Sequence, residues 1–87
     1  AKHGLRAMAQ SMARELGPQN IHVAHVVIDA AVDTEWIMDN IPEAADLKTR
    51  DGIVMPEDLA QNYVMLHEQP RNCWTFELDV RPWTENW

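Results

Sequence analysis

The stretch Leu5–Ile28, LRAMAQSMARELGPQNIHVAHVVI, decides how this chain of 87 residues is read. In its first half Leu5, Met8, Ala9, Met12, Ala13 and Leu16 recur at helical spacing and form one apolar stripe. Gly17 then offers a left-handed stop, and Pro18 bars continuation. Ile21–Ile28 is rich in β-branched residues and apolar at almost every position, the pattern of a strand covered by helices on both faces. A helix, a Gly-Pro turn and a buried strand make the αβ half of a parallel α/β unit.

Downstream of this unit, Asp29–Thr34 (DAAVDT) leaves the strand as a loop, and Thr34 is placed to cap a short helix over Glu35–Asn40. Ile41–Gly52 combines Pro42, mixed charge and no period, so an irregular, mobile excursion is expected there. Met55-Pro56-Glu57-Asp58 reads as a helix start, with proline at the first helical position and two acids at the positive helix end. Leu59, Tyr63, Leu66 and His67 follow one face of that helix, which makes Tyr63 a core position. Cys73–Val80 (CWTFELDV) alternates: Trp74, Phe76, Leu78 and Val80 face one side, and Thr75, Glu77 and Asp79 face the other. That is the pattern of a half-buried edge strand. The expected order is helix, strand, irregular lid, helix, strand and tail.

Size and charge narrow the function classes. A chain of 87 residues is expected to make a single domain, residues 1–87, with a thin core. Seven Lys and Arg against fourteen Asp and Glu leave a net charge of -7, which repels phosphate backbones and anionic lipid heads. Nucleic acid and membrane surfaces are therefore not expected partners. The single cysteine, Cys73, has no internal disulfide partner, which fits a reducing cytoplasm. The chain opens on Ala1, within a helical pattern, and so reads as a fragment or a processed product.

Several of these stretches together resemble one family. Ala1-Lys2-His3-Gly4-Leu5, Met12–Gly17 and Ile21-His22-Val23 are similar to the segment that follows the catalytic tyrosine of short-chain dehydrogenases/reductases. Lys2 matches the lysine of that family's Tyr-x-x-x-Lys motif, whose tyrosine would lie three residues ahead of Ala1. The family's Pro-Gly-x-Val-x-Thr loop reads here Asp29-Ala30-Ala31-Val32-Asp33-Thr34. Val32 and Thr34 match it; Asp29 and Ala30 depart from the Pro-Gly. The resemblance spans essentially the whole chain. It implies an α/β fold: the C-terminal part of a Rossmann-like, doubly wound parallel sheet, lacking the N-terminal nucleotide-binding half.

The resemblance also implies chemistry: NAD(P)-dependent oxidation or reduction of a small alcohol or carbonyl compound by the parent protein, with NAD or NADP as cofactor. Lys2 would hold the nicotinamide ribose and lower the pKa of the tyrosine that acts as general acid or base. Val32, through its backbone, and Thr34, through its hydroxyl, would hold the nicotinamide carboxamide. Glu35–Gly52 would correspond to the substrate lid, and the first helix to part of a subunit interface, so a homo-oligomer is expected. The only glycines are Gly4, Gly17 and Gly52, too far apart for a phosphate-binding turn. The only serine, Ser11, and the only tyrosine, Tyr63, do not complete a Ser-Tyr-Lys set with Lys2. Catalysis and cofactor binding by these residues alone are accordingly not expected. The alternative reading is a non-catalytic, self-associating structural module.

Plainer readings stand beside these. Lys2 out of context is a solvated helix-end lysine, and Thr34 is a helix cap. His22 and His25, three apart in an expected strand, point to opposite faces and cannot readily share a zinc ion, so no metal is expected. Trp36, Trp74, Trp83 and Trp87 read as core and interface material.

Overall fold

The computed structural model describes all residues, Ala1–Trp87. The elements, in order, are α1 (Lys2–Leu16), a single 3-10 turn (Gly17–Gln19), β1 (His25–Ile28), α2 (Glu35–Asn40), α3 (Ala44–Thr49), α4 (Pro56–Glu68) and β2 (Glu77–Val80). β1 and β2 form a two-stranded sheet. His25 N–H donates to the Phe76 carbonyl at 2.7 Å and Asp29 N–H to the Val80 carbonyl at 3.0 Å, so both strands advance together and the pairing is parallel. No helix is long and apolar enough to cross a membrane. Contacts divide the chain into two units, Ala1–Val27 with Tyr63–Leu78, and Ile28–Asn62 with Asp79–Trp87. Each is taken in turn.

In the first unit α1 runs as the apolar spacing predicts, but it ends differently. Gly17 is right-handed, at φ -53 and ψ -47, and the chain tightens into the 3-10 turn. The left-handed residue is Asn20, at φ 69 and ψ 32, whose N–H closes on the Gly17 carbonyl. Pro18 explains the shift. Its fixed φ suits the first position of a helical turn, and a right-handed residue just before proline is hindered chiefly when it carries a Cβ, which Gly17 lacks. Asparagine is the residue after glycine that best tolerates the left-handed region.

Both strands start four residues later than their sequence patterns suggest, at His25 instead of Ile21 and at Glu77 instead of Cys73. The preceding residues are joined by side chains and not by a ladder. The His22 ring stacks on Trp74, 4.7 Å between centroids and 5° between planes. His22 Nε2 lies 2.7 Å from the Thr75 carbonyl. The Thr75 N–H donates to Gln69 Oε1 at 2.8 Å, and the Gln69 amide donates back to Thr75 Oγ1 at 2.9 Å. With Thr75 bound to the end of α4, its peptide is withdrawn from the sheet. β1 is half-buried throughout and not enclosed on both faces, whereas Leu78 and Val80 of β2 are half-buried between exposed Glu77 and Asp79, as its alternation requires.

The apolar stripe of α1 divides. Ala9, Ala13 and Leu16 are half-buried, while Leu5, Met8 and Met12 are 57%, 59% and 42% exposed. Leu66 of α4 is buried, but Tyr63, expected in the core, is 48% exposed. A polar cluster ties α1 to both strands. Arg6 Nε donates to Glu77 Oε2 at 2.5 Å, the Arg6 guanidinium lies 5.5 Å from the Phe76 ring centre, and His25 Nδ1 is 3.3 Å from the same carboxylate oxygen. That His25 nitrogen is buried and makes no aligned hydrogen bond.

In the second unit Thr34 caps α2 as expected, its hydroxyl oxygen accepting from the Ile37 N–H at 3.2 Å. The expected irregular excursion over Ile41–Gly52 contains instead the helix α3. Its sequence signal is short: Ala44 fully buried, Leu47 half-buried, and an Asp46–Arg50 ion pair one turn apart at 3.0 Å. Its end is a Schellman turn, with Asp51 left-handed at φ 58 and the Gly52 N–H returning to the Leu47 carbonyl at 2.7 Å. α4 begins at Pro56 with Glu57 and Asp58 in its first turn. Ile53, 5% exposed, and Ala44 are the buried apolar residues of this unit. Trp36, Trp83 and Trp87 are 64%, 81% and 87% exposed, and of the four tryptophans only Trp74, in the first unit, is half-buried.

Two consequences are measurable. A Cβ at Gly52 would lie 3.0 Å from Leu47 Cδ2 and 3.2 Å from both the Leu47 carbonyl oxygen and Thr84 Oγ1, and the carbonyl cannot yield without opening the turn. Gly52→Ala should lower stability by about 1–3 kcal/mol in urea titration, through overpacking. Glu77 titrates below the ordinary carboxylate range, chiefly because Arg6 donates a hydrogen bond to it and, after an opposing effect of burial, because of the Arg6 charge. A depressed carboxylate stabilises the folded state above its unfolded pKa, and that contribution disappears as pH falls through the lower folded value. The urea midpoint should therefore drop below about pH 4.5 less steeply in Glu77→Gln than in the parent chain.

Candidate functional site

The residues singled out by sequence fall in both units. Lys2 is the first residue of α1, in the first unit; Val32 and Thr34 lie four and six residues beyond β1, in the second. Lys2 is exposed and makes no ion pair or hydrogen bond with the chain. A cation in the first turn opposes the helix dipole, so its position brings α1 no stability.

The Asp29–Thr34 segment is more tightly specified. Val32 forms an isolated parallel bridge with Val54. The bridge uses the Asp33 N–H, donating to the Val54 carbonyl at 2.8 Å, and the Val54 N–H, donating to the Ala31 carbonyl at 2.9 Å. Neither the N–H nor the carbonyl of Val32 takes part. In a parallel bridge these two groups point to the side opposite the partner, so Val32 directs one donor and one acceptor away from Val54. Two residues on, the Thr34 hydroxyl accepts from Ile37 and keeps its own hydrogen to donate. Asp33, between them, is turned toward α3, where Lys48 Nζ holds it at 3.1 Å.

This arrangement is suited to a primary carboxamide, whose oxygen needs donors and whose NH2 needs acceptors. The Val32 N–H and the Thr34 hydroxyl can serve the oxygen, and the Val32 carbonyl can serve the NH2. The free ammonium of Lys2 can serve a diol or an anion. The three glycines all have negative φ and are dispersed, so no phosphate-cradling turn accompanies these groups. Within the second unit, the groups of Val32 and Thr34 thus suit a primary carboxamide.

Other candidates separate. Tyr63 lines an open cavity of about 480 Å³ with His22, Leu66, His67 and Trp74, and Lys2 is not part of its wall. His22 is engaged with Thr75 and Trp74 while His25 faces Glu77, and no three His, Cys, Asp or Glu side chains gather in the geometry of a metal site. Lys48 and Arg81, which hold the acids of the Asp29–Thr34 segment, had no signal in the sequence. Asp33 is 15 positions from Lys48 and Asp29 is 52 from Arg81, far beyond any local pattern.

No family model and no curated protein matches the chain. A solved structure does: a short-chain dehydrogenase from Rhodopseudomonas palustris, 44% identical in sequence, with a TM-score of 0.60. The match covers 95% of this chain and 28% of that one, so the chain spans little more than a quarter of the dehydrogenase's length. The parallel β1–β2 pair with its flanking helices is accordingly a partial Rossmann-like α/β arrangement, consistent with the C-terminal placement that the Lys2 and Val32–Thr34 motifs imply. Over its length the chain is similar to a portion of a short-chain dehydrogenase, as a C-terminal fragment of that fold would be.

Proposed function

We propose that the chain is the nicotinamide-facing portion of an NAD(P)-dependent oxidoreductase that acts on a small alcohol or carbonyl compound. The observation that carries this reading is the backbone of Val32, unused by its bridge to Val54, two residues before the Thr34 hydroxyl, in a chain 44% identical in sequence to a dehydrogenase. In this reading a bound nicotinamide accepts or supplies the hydride. Val32 and Thr34 hold its carboxamide and so fix which ring face meets the substrate. Lys2 binds the ribose hydroxyls, and its charge favours the phenolate of a tyrosine one helical turn ahead of it, which moves a proton to or from the substrate oxygen. α2 and α3 form the substrate lid, with Lys48 tying α3 to the segment through Asp33.

The 87 residues supply one catalytic side chain of that set, Lys2, and no pyrophosphate turn, so the activity belongs to a protein that also carries the nucleotide-binding half. The test is a chimera in which these residues replace the matching segment of the Rhodopseudomonas palustris dehydrogenase. NADH or NADPH should quench its tryptophan fluorescence saturably. Lys2→Met should raise the Kd about tenfold, as loss of one charge-assisted hydrogen bond does, whereas Val32→Ala, which keeps the backbone, should change it less than about twofold. A folded chimera that binds neither nucleotide would sink the reading. The 87-residue chain alone should show no saturable quenching up to about 1 mM cofactor, an affinity of only about 4 kcal/mol.

A second reading is a self-associating module, favoured by the exposure of Leu5, Met8 and Met12 along one face of α1. The expected partner is another copy, through α1 and the open strand edges. Light scattering of the 87-residue chain should return a multiple of 10.0 kDa, and the Leu5→Gln, Met8→Gln, Met12→Gln variant should return the monomer mass. A monomeric parent chain at micromolar concentration counts against it.

A further inference from the structure

The segment that presents Val32 and Thr34 begins at Asp29-Ala30-Ala31, which holds neither proline nor glycine to restrict its path. Its start is held from outside. Arg81, the first residue after β2, donates from Nη1 to Asp29 Oδ2 at 2.5 Å and from Nη2 to Asp79 Oδ1 and Oδ2 at 2.7 and 2.6 Å. One face of the guanidinium is covered by Trp87, whose ring centre is 4.0 Å from Cζ. The Arg81 side chain is only 16% exposed, although both of its acids are about half exposed.

The other ties of the segment are of a different kind. The Val32–Val54 bridge is backbone only, and Lys48 meets Asp33 through a single ammonium contact at 3.1 Å, without the two-armed geometry of a guanidinium. Arg81 is the one mostly buried charge in contact with the segment, and it uses the guanidinium fork that fixes both distance and direction. Between Asp29, whose N–H is held by the Val80 carbonyl, and Val32 stand Ala30, with no polar tie, and Ala31, whose carbonyl accepts from the Val54 N–H. A displacement of Asp29 would reach the Val32 peptide through these two residues and strain that bond. Without Arg81, Asp29 and Asp79 would face each other as two carboxylates with no cation between them, and repulsion would drive that displacement.

We propose that Arg81 is a positioning residue for the nicotinamide-facing segment: with Asp29 and Asp79 it sets the direction in which Val32 presents its backbone, and Trp87 holds the guanidinium in place. The inference rests on the oxidoreductase reading for its ligand, but its mechanical part does not.

Amide hydrogen exchange of the 87-residue chain tests the mechanical part without cofactor. In Arg81→Met the Asp33 and Val54 N–H groups, which form the bridge, should exchange about tenfold faster, with α1 amides unchanged. Equal acceleration everywhere, or none, overturns the proposal. In the chimera described above, NADH should bind Arg81→Met about tenfold more weakly while ADP-ribose, which lacks nicotinamide, binds within about twofold of the parent. Arg81→Lys should restore part of the NADH affinity. Equal losses for both ligands would mark a merely structural role and overturn the proposal, as would unchanged NADH binding. Should Arg81→Met fail to fold, Asp29→Asn decides: it keeps Arg81 and Asp79 paired and should weaken NADH selectively. If the parent chimera binds no NADH, the oxidoreductase reading falls and hydrogen exchange alone decides whether Arg81 sets the segment.

Discussion

The parallel pairing of β1 with β2 is the constraint on which the rest of the chain depends. Two strands that advance together cannot be joined by a hairpin, so the chain must leave one end of β1 and return to the opposite end of β2. α2, α3 and α4 are that return path. The segment Asp29–Thr34 is its first step, placed beyond the C-terminal end of β1. In open α/β sheets this is where ligands bind, because successive strands deliver loops there instead of hairpins.

At that edge one backbone bridge performs two tasks. By consuming the amide of Asp33 and the carbonyl of Ala31, the pairing of Val32 with Val54 holds the segment against the start of α4. By the same geometry it turns the Val32 donor and acceptor away from Val54 and leaves them unpaired by the bridge. A polar peptide kept free beside a fixed hydroxyl is costly for folding and useful for recognition. Around it the ties are ionic and of long sequence range, Asp29 to Arg81 and Asp33 to Lys48. They set position without occupying the groups that would meet a ligand.

Stability of the 87 residues is correspondingly modest. Only Ala44, Ile53 and Leu66 are buried apolar residues, and large side chains on α1 and α4 remain in water. Several joints are made by polar side chains: Gln69 to Thr75, Arg6 to Glu77, and Arg81 to its two acids. A polar joint imposes a direction and adds little net free energy. The chain is therefore well defined in its connections while its core stays thin.

What the sequence by itself determined is whatever depends on neighbours in the chain. α1, α2 with its Thr34 cap and α4 with Pro56 at its start all follow from spacing and end signals within a few residues, and the Lys2 and Val32–Thr34 motifs were enough to name the family. Tertiary structure decided where local signals compete or are absent. Pro18 moved the left-handed residue from Gly17 to Asn20, and Gln69 and Trp74 shortened both strands by capturing Thr75 and His22. α3 formed in an aperiodic stretch because Ala44 found a buried place and Gly52 a close one against Leu47 and Thr84. The direction of the Val32 peptide and the partners of Asp29 and Asp33 were illegible in sequence, because each rests on a residue brought near only by the fold. Local rules act over about one helical turn; charge pairing and strand registry act over whatever distance the chain has folded across.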